Sequence, residues 1–246
     1  MAIGQFCYEQ KRLENDLISL EPFDLNEVEL ISTGHMQQTI HIAKFFEEVK
    51  SNPDLIKYVA FPQTETEEQF IKDIYTPLHN APGECLYAII DKSKIQASTT
   101  DPEKKNAYAG TIALTNTDKS NSITEIGIMI FKSFQRTHIA TNAVGLLLQY
   151  TLDPIPAGGL GLRRVEWKSH SENIASRNAA LRMGFEFEGT LRWHRAFSLG
   201  VPVEALEKRN GTTGELLGRH TAIHSIVWDE WDEKRPKVVA LMEKKY

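Results

Sequence analysis

IMIFKSFQRTHIATNAVGLLL, residues 128–148, decides how this chain folds. Its opening residues end a longer β-type run, ITEIGIMIF (123–131), whose one charged residue is Glu125. A run that apolar reads as a central strand covered on both faces. A short polar turn then passes straight into a helix over 139–152. There Val144, Leu147, Leu148 and Tyr150 fill most of the surface, and Thr141, Gly145 and Gln149 leave only a narrow stripe for water. A strand-turn-helix junction presents unpaired N–H groups at the positive end of a helix, where a phosphate or pyrophosphate can sit. The same geometry also serves as a plain connection.

Upstream, LISLEPF (17–23) alternates as a first strand. MQQTIHIAKFFEEVK (36–50) sets Ile40, Ala43, Phe46 and Val49 at helical spacing, and a second helix over 65–79 aligns Phe70, Ile71, Ile74 and Leu78. CLYAIID (85–91) and AYAGTIALT (107–115) are β-rich and flank a polar hairpin loop, 92–106. Downstream of DPIPAGGLG (153–161), RRVEWKS (163–169) forms a strand and NIASRNAALRMGF (173–185) a helix. Gly184 suits the left-handed residue that closes this helix, with Phe185 folding back on Leu181. EFEGTLRW (186–193) and HTAIHSIVW (220–228) return as strands, and 229–246 is a polar extension with room for a short helix. Strand and helix alternate only in the middle, which predicts a single α+β (mixed α/β) domain built on a mixed sheet with crossover helices.

The 246 residues are 41% hydrophobic and 25% charged, with 15 Gly and 10 Pro, which excludes fibrous and wholly disordered classes. A net charge of −5 argues against nucleic acid as a partner. There is no apolar stretch of about 18 residues and no charged-then-apolar leader at the N-terminus, so the expectation is a cytoplasmic protein without a membrane partner. Cys7 and Cys85 lie too far apart for ligand spacing. His220 and His224 share a strand face roughly 13 Å apart, too far for one metal ion. No metal is expected. Trp193, Trp228 and Trp231 read as packing residues, and Tyr150 as core.

Gln135-Arg136-Thr137-His138-Ile139-Ala140-Thr141 resembles the pyrophosphate loop of the GNAT acetyltransferase superfamily: Gln or Arg, two variable residues, Gly, any residue, then Gly or Ala. Glu125-Ile126-Gly127 before it looks like the family's splayed fourth strand. Asn173-Ile174-Ala175-Ser176 matches its Asn-x-x-Ser helix start, and Glu188-Gly189-Thr190-Leu191-Arg192 its Glu-Gly-x-x-Arg. The closing strand, Ser225 to Trp231, is similar to that of the branch acting on ribosomal-protein N-termini. Together these cover residues 12–232, leaving 233–246 as a C-terminal extension. His138 stands where the family has Gly; a helical backbone there keeps the cradle intact, whereas a positive φ would strain it.

The resemblance implies a GNAT fold, with a twisted mixed sheet of six to seven strands and helices on both faces. It implies an N-acetyltransferase moving an acetyl group from acetyl-CoA, the co-substrate, to a primary amine by direct attack. The acceptor is a small-molecule amine, a protein N-terminus or a lysine. The alternative is a non-catalytic acyl-CoA-binding or partner-binding protein on the same fold. On the family template, the backbone of Ile128, Met129 and Ile130 pairs with pantetheine, and Gln135, Arg136, Thr137, His138, Ile139, Ala140 and Thr141 cradle the pyrophosphate. Asn173 holds the pantetheine unless it only caps its helix. Ser176 is the candidate to protonate sulfur unless it too only serves the helix start, and Glu125 the candidate base unless it is a surface carboxylate at a strand end. Glu166 and Glu188 are weaker candidates that read as solvent-facing. The insert 193–218 is expected to overhang the acceptor site, in a monomer or homodimer.

Overall fold

The structure, a computed structural model, describes residues 6–23, 40–59, 64–95, 106–197, 204–206 and 216–244. Most of the 92–106 loop and of the 193–218 insert therefore lies outside the described residues. The chain runs through β1 (Leu13–Glu14), β2 (Ile18–Pro22) and α1 (Ile40–Ser51). The helix read at 65–79 is continuous but in three pieces: α2 (Glu67–Phe70), a π turn (Ile71–Tyr75) and α3 (Thr76–Asn80). Next come β3 (Cys85–Asp91), β4 (Tyr108–Asp118), β5 (Ile123–Ile130) and α4 (Ile139–Leu152). β6 (Arg164–His170), α5 (Ile174–Arg182), β7 (Glu186–Ala196), β8 (Gly218–Val227) and α6 (Trp228–Met242) complete the described chain.

The strands form one mixed sheet of eight, in the order β1-β2-β3-β4-β5-β6-β8-β7. The expectation of six or seven missed β1, whose two residues are too few to show alternation. Every neighbouring pair is antiparallel except β5 with β6. Two cores follow from the period-two alternation of side chains. Ile18, Leu20, Ile89, Ile112, Ile126, Val165 and Trp167 face α4 and α6, while Ala88, Ile90, Tyr108 and Phe131 face α1 to α3.

The water stripe expected on α4 is not at the surface. Thr141 and Gly145 are buried and Gln149 is half-buried. The cover is α6, a 15-residue helix rather than a short one, whose Val238 and Met242 join the core. A Cβ built on Gly145 would lie 2.2 Å from Met242 Sδ, so a larger residue there would force the Met242 side chain to shift. Position 232, where the resemblance ended, falls inside α6.

Three packing expectations also change. Trp231 is buried, with Nε1 donating to Asp153 Oδ1 at 2.7 Å, but Trp193 and Trp228 are exposed. Gly184, at φ +90°, closes α5 with Gly184 N–H to Leu181 O and Phe185 N–H to Ala180 O, the Schellman pattern. Leu181 is exposed, however, and Phe185 packs edge-on against Trp167.

Candidate active site

β5 and β6 pair only at Ile123↔Arg164, Thr124↔Val165 and Glu125↔Glu166, then diverge. Beyond that point β5 keeps β4 on one edge as far as Gly110↔Ile130 and, among the described residues, has no strand on the other. Phe131 N–H donates to Ala109 O across the β4 edge, so by alternation the backbone groups of Ile128 and Ile130 point to the open edge and those of Met129 to β4. This explains a departure from the sequence reading. Thr124 and Ile126 are buried, but Gly127, Ile128, Met129 and Ile130 are half-buried, because a cleft rather than a neighbouring strand lies beside them.

The open edge leads into the turn before α4. Gln135 Nε2 donates to Ile130 O at 3.1 Å, and Thr137 Oγ1 to Phe134 O at 2.7 Å, which fastens the turn to the strand end. His138 has φ −66° and ψ −17°, an ordinary helical backbone, so the residue that replaces the family's glycine is unstrained. Its ring turns sideways, with Nε2 3.6 Å from Asp91 Oδ1. Positive φ falls instead on Arg136, at +62°. The first i→i−4 bond of α4 is Asn142 N–H to His138 O, and Ile139 N–H donates to Thr137 Oγ1 at 3.4 Å, which leaves the N–H groups of Arg136, Thr137, His138 and Ala140 as donors for an anion among the described residues. Ile139 and Thr141 are buried.

Across the cleft, Asn173 caps α5 through Oδ1, which accepts from Ser176 N–H at 3.1 Å. Ser176 Oγ accepts from Trp167 Nε1 at 2.9 Å. A hydroxyl has one donor and two acceptor positions, so this bond leaves its proton free for another partner.

Glu125 sits where the two strands part. Its Oε2 accepts from Asn116 Nδ2 at 3.0 Å and from Lys168 Nζ at 3.2 Å, while Oε1 has no partner among the described residues. The other two carboxylates are engaged. Glu166 is not solvent-facing: its side chain is 15% exposed and held by Lys168 at 2.6 Å and Arg164 at 2.8 Å. Burial disfavours its ionised form, but these two cations together hold its carboxyl below the usual value. Arg164 grips Glu188 with two guanidinium nitrogens, and with Ser225 holds that carboxyl down to about 2.

Sequence reasoning missed Asn116, Lys168 and Glu84. Glu84 Oε1 accepts from Asn116 N–H at 3.0 Å, so Asn116 links it to Glu125. Burial pushes the Glu84 carboxyl up, against the lowering effect of that hydrogen bond, and the charge of Glu125 adds to the rise. Glu84 also lines a small pocket with Phe23, Tyr75, Leu78 and Thr115, the last paired directly with Glu125. Tyr150 is buried and its hydroxyl donates to Glu9 O, as suits a core residue.

A sheet opened between two parallel strands, with an N–H-lined turn at its mouth, is the architecture of an acyl-CoA-dependent transferase. The family model described as acetyltransferase (GNAT) domain matches residues 35–186, and the chain belongs to that family. It is an acyltransferase. The fold is similar to a GCN5-related N-acetyltransferase from Brucella melitensis, at 25% identity and TM-score 0.69 over 98% of this chain and 89% of that one. A probable GNAT acetyltransferase from Chromobacterium violaceum gives 24% and 0.67, covering 94% and 93%. The Salmonella typhimurium acetyltransferase that modifies the N-terminal serine of a 50S ribosomal subunit protein gives 16% and 0.60, covering 88% and 99%. No curated protein matches the chain.

Proposed function

We propose that the protein transfers the acetyl group of acetyl-CoA to a primary amine by direct attack of the amine on the thioester. The observation that carries this reading is the edge of β5 from Ile126 to Ile130, which no strand pairs among the described residues and which runs into the donor-rich turn before α4. Backbone groups of Ile128 and Ile130 fit an extended amide chain laid along that edge, with Met129 supplying its side chain. The N–H groups of Arg136, Thr137, His138 and Ala140, helped by the positive end of α4, fit a pyrophosphate.

In this reading Glu125 Oε1 takes the amine proton, directly or through water, because it is the one site-facing carboxylate oxygen among Glu125, Glu166 and Glu188 that no cation holds. A backbone N–H of the open edge receives the thioester oxygen as charge grows on it. Ser176, its oxygen held by Trp167, returns a proton to the departing sulfur. Asn173 positions Ser176 as well as capping α5. Acceptor choice is assigned to the surroundings of this centre, including the 193–218 insert.

The test is thiol release from acetyl-CoA across a panel of amines. The expected result is release with at least one amine and an approximately 100-fold loss in Glu125→Gln, in keeping with general-base contributions of about 10²–10⁴. Binding of acetyl-CoA without release for any amine would remove the proposal.

A further inference from the structure

The acceptor side of the cleft has a roof and a cationic wall. Glu204 N–H donates to Lys57 O at 2.6 Å, so the segment between α1 and α2 meets the segment joining β7 to β8. Beneath this contact the Tyr58 ring lies 5.2 Å from the ring of His170, and Tyr58 O accepts from Arg219 Nη1 at 3.1 Å. Arg219 Nε donates to Thr221 Oγ1 at 3.2 Å. Both partners are neutral. The strand register sets Arg195 directly opposite Arg219, and like charges facing each other across an antiparallel pair are destabilising.

Among the described residues neither arginine has a carboxylate partner. Arg195 is exposed, but Arg219 is half-buried, and a guanidinium taken partly out of water without a counter-ion is costly, so its retention points to a ligand that supplies one. The planar fork of Arg matches a carboxylate with two parallel hydrogen bonds. His194 adds to the wall, with Nδ1 buried and unpartnered. Burial, then the charge of Arg195, pushes the Arg219 pKa down, while Glu125 acts in the opposite direction; partial burial, then the charges of Arg195, Lys168 and Arg219, lowers that of the half-buried His194. The wall therefore stands within electrostatic range of Glu125 and Lys168, on their face of the sheet.

We propose that the acceptor carries a carboxylate as well as its amine, and that Arg219, with Arg195 beside it, receives that carboxylate under the roof while the amine reaches Glu125. The proposal rests on the acetyl-transfer reading above. Ile223, which pairs with Lys168, is four residues along β8 from Arg219, roughly 13 Å of strand. Even with the arginine extended, the α-carboxylate of a free α-amino acid is too close to its own amine to bridge this. A long ω-amino acid, or a peptide with an acidic side chain near its N-terminus, has the reach.

The experiment compares 6-aminohexanoate with its amide, and an amidated Ala-Ala-Glu-Ala peptide with its Gln counterpart, by thiol release. In the natural protein the carboxylate member of at least one pair should have a kcat/KM tenfold or more above its neutral partner. The pair that shows it identifies the source as small molecule or peptide. Arg219→Gln should bring that ratio within about twofold, Arg219→Lys should leave it intermediate, and both should bind CoA like the natural protein. Equal turnover within both pairs, or a ratio that survives Arg219→Gln, overturns the proposal. If CoA binds but no amine is acetylated, the transfer reading fails, and calorimetry on the CoA-loaded protein decides the carboxylate site alone. Glu-peptide binding at least tenfold tighter than the Gln peptide, lost in Arg219→Gln, supports it; equal binding overturns it.

Discussion

Trp167 Nε1 donates to Ser176 Oγ at 2.9 Å, which joins the strand on one side of the cleft to the helix that follows it. The indole is almost wholly buried and makes an edge contact with Phe185, so the hydroxyl is held from a rigid base. Indole N–H is a donor only, and the hydroxyl proton must point elsewhere.

Ser176→Ala should therefore lower kcat about 10- to 100-fold with little change in the KM for acetyl-CoA, and should cost about 1–3 kcal/mol in stability because the buried indole N–H loses its acceptor. Steady-state kinetics beside thermal melts separate the two effects. A variant that loses stability but keeps kcat would reduce Ser176 to a packing role.

Arg136 is a non-glycine residue at φ +62°, a conformation that costs side chains with a Cβ about 1 kcal/mol. Arg136→Gly should raise the midpoint of denaturant unfolding, or leave it unchanged, while weakening CoA binding by removing a cation near the phosphates. A fall in both would mean that the side chain, not the backbone, fastens the turn.

Met242, 7% exposed, covers the glycine gap on α4. Met242→Ala should cost about 2–3 kcal/mol, the range for emptying a core position. Cutting the chain after residue 232 should remove cooperative unfolding altogether, since Val238 is lost with it. Chemical denaturation followed by tryptophan fluorescence reads both, and a truncated chain as stable as the natural one would contradict the fold described.

Arg164 holds the Glu188 carboxyl at about 2, against an ordinary value of 4.5, so the folded protein binds this proton less readily than the unfolded chain. The pair stabilises the fold above about pH 4.5, and that contribution is lost as the pH falls towards 2. Glu188→Gln should be less stable than the natural protein at neutral pH, and the gap should narrow between pH 4.5 and 2. Because Glu188 is 41% exposed, high salt should shrink the gap too. A gap independent of pH would assign the effect to Ser225 instead.

The strand, turn and helix over 123–152 were legible because a nearly continuous apolar run gives way at Lys132 to a polar turn and then to helical spacing, and both boundaries lie within a residue or two of those observed. The order of elements and the cleft followed from there. The burial of α4 was legible only in part, since residues 229–246 alternate too weakly to show that they would cover Gly145. Of the polar centre only Glu125 was legible: Glu84, Asn116, Lys168 and Arg219 come from the start of β3 and from β4, β6 and β8, and only the strand register aligns them with it. His138 illustrates the remaining kind of gap, because a residue type cannot report its own φ.

The central claim is that acetyl-CoA lies in the cleft between β5 and β6. A crystal structure grown with CoA tests it most directly. The predicted result is pantetheine density along Ile126 to Ile130, with the pyrophosphate in hydrogen-bond contact with N–H groups between Arg136 and Ala140. Density for CoA at any other place, with this cleft closed or empty at saturating ligand, would contradict the account.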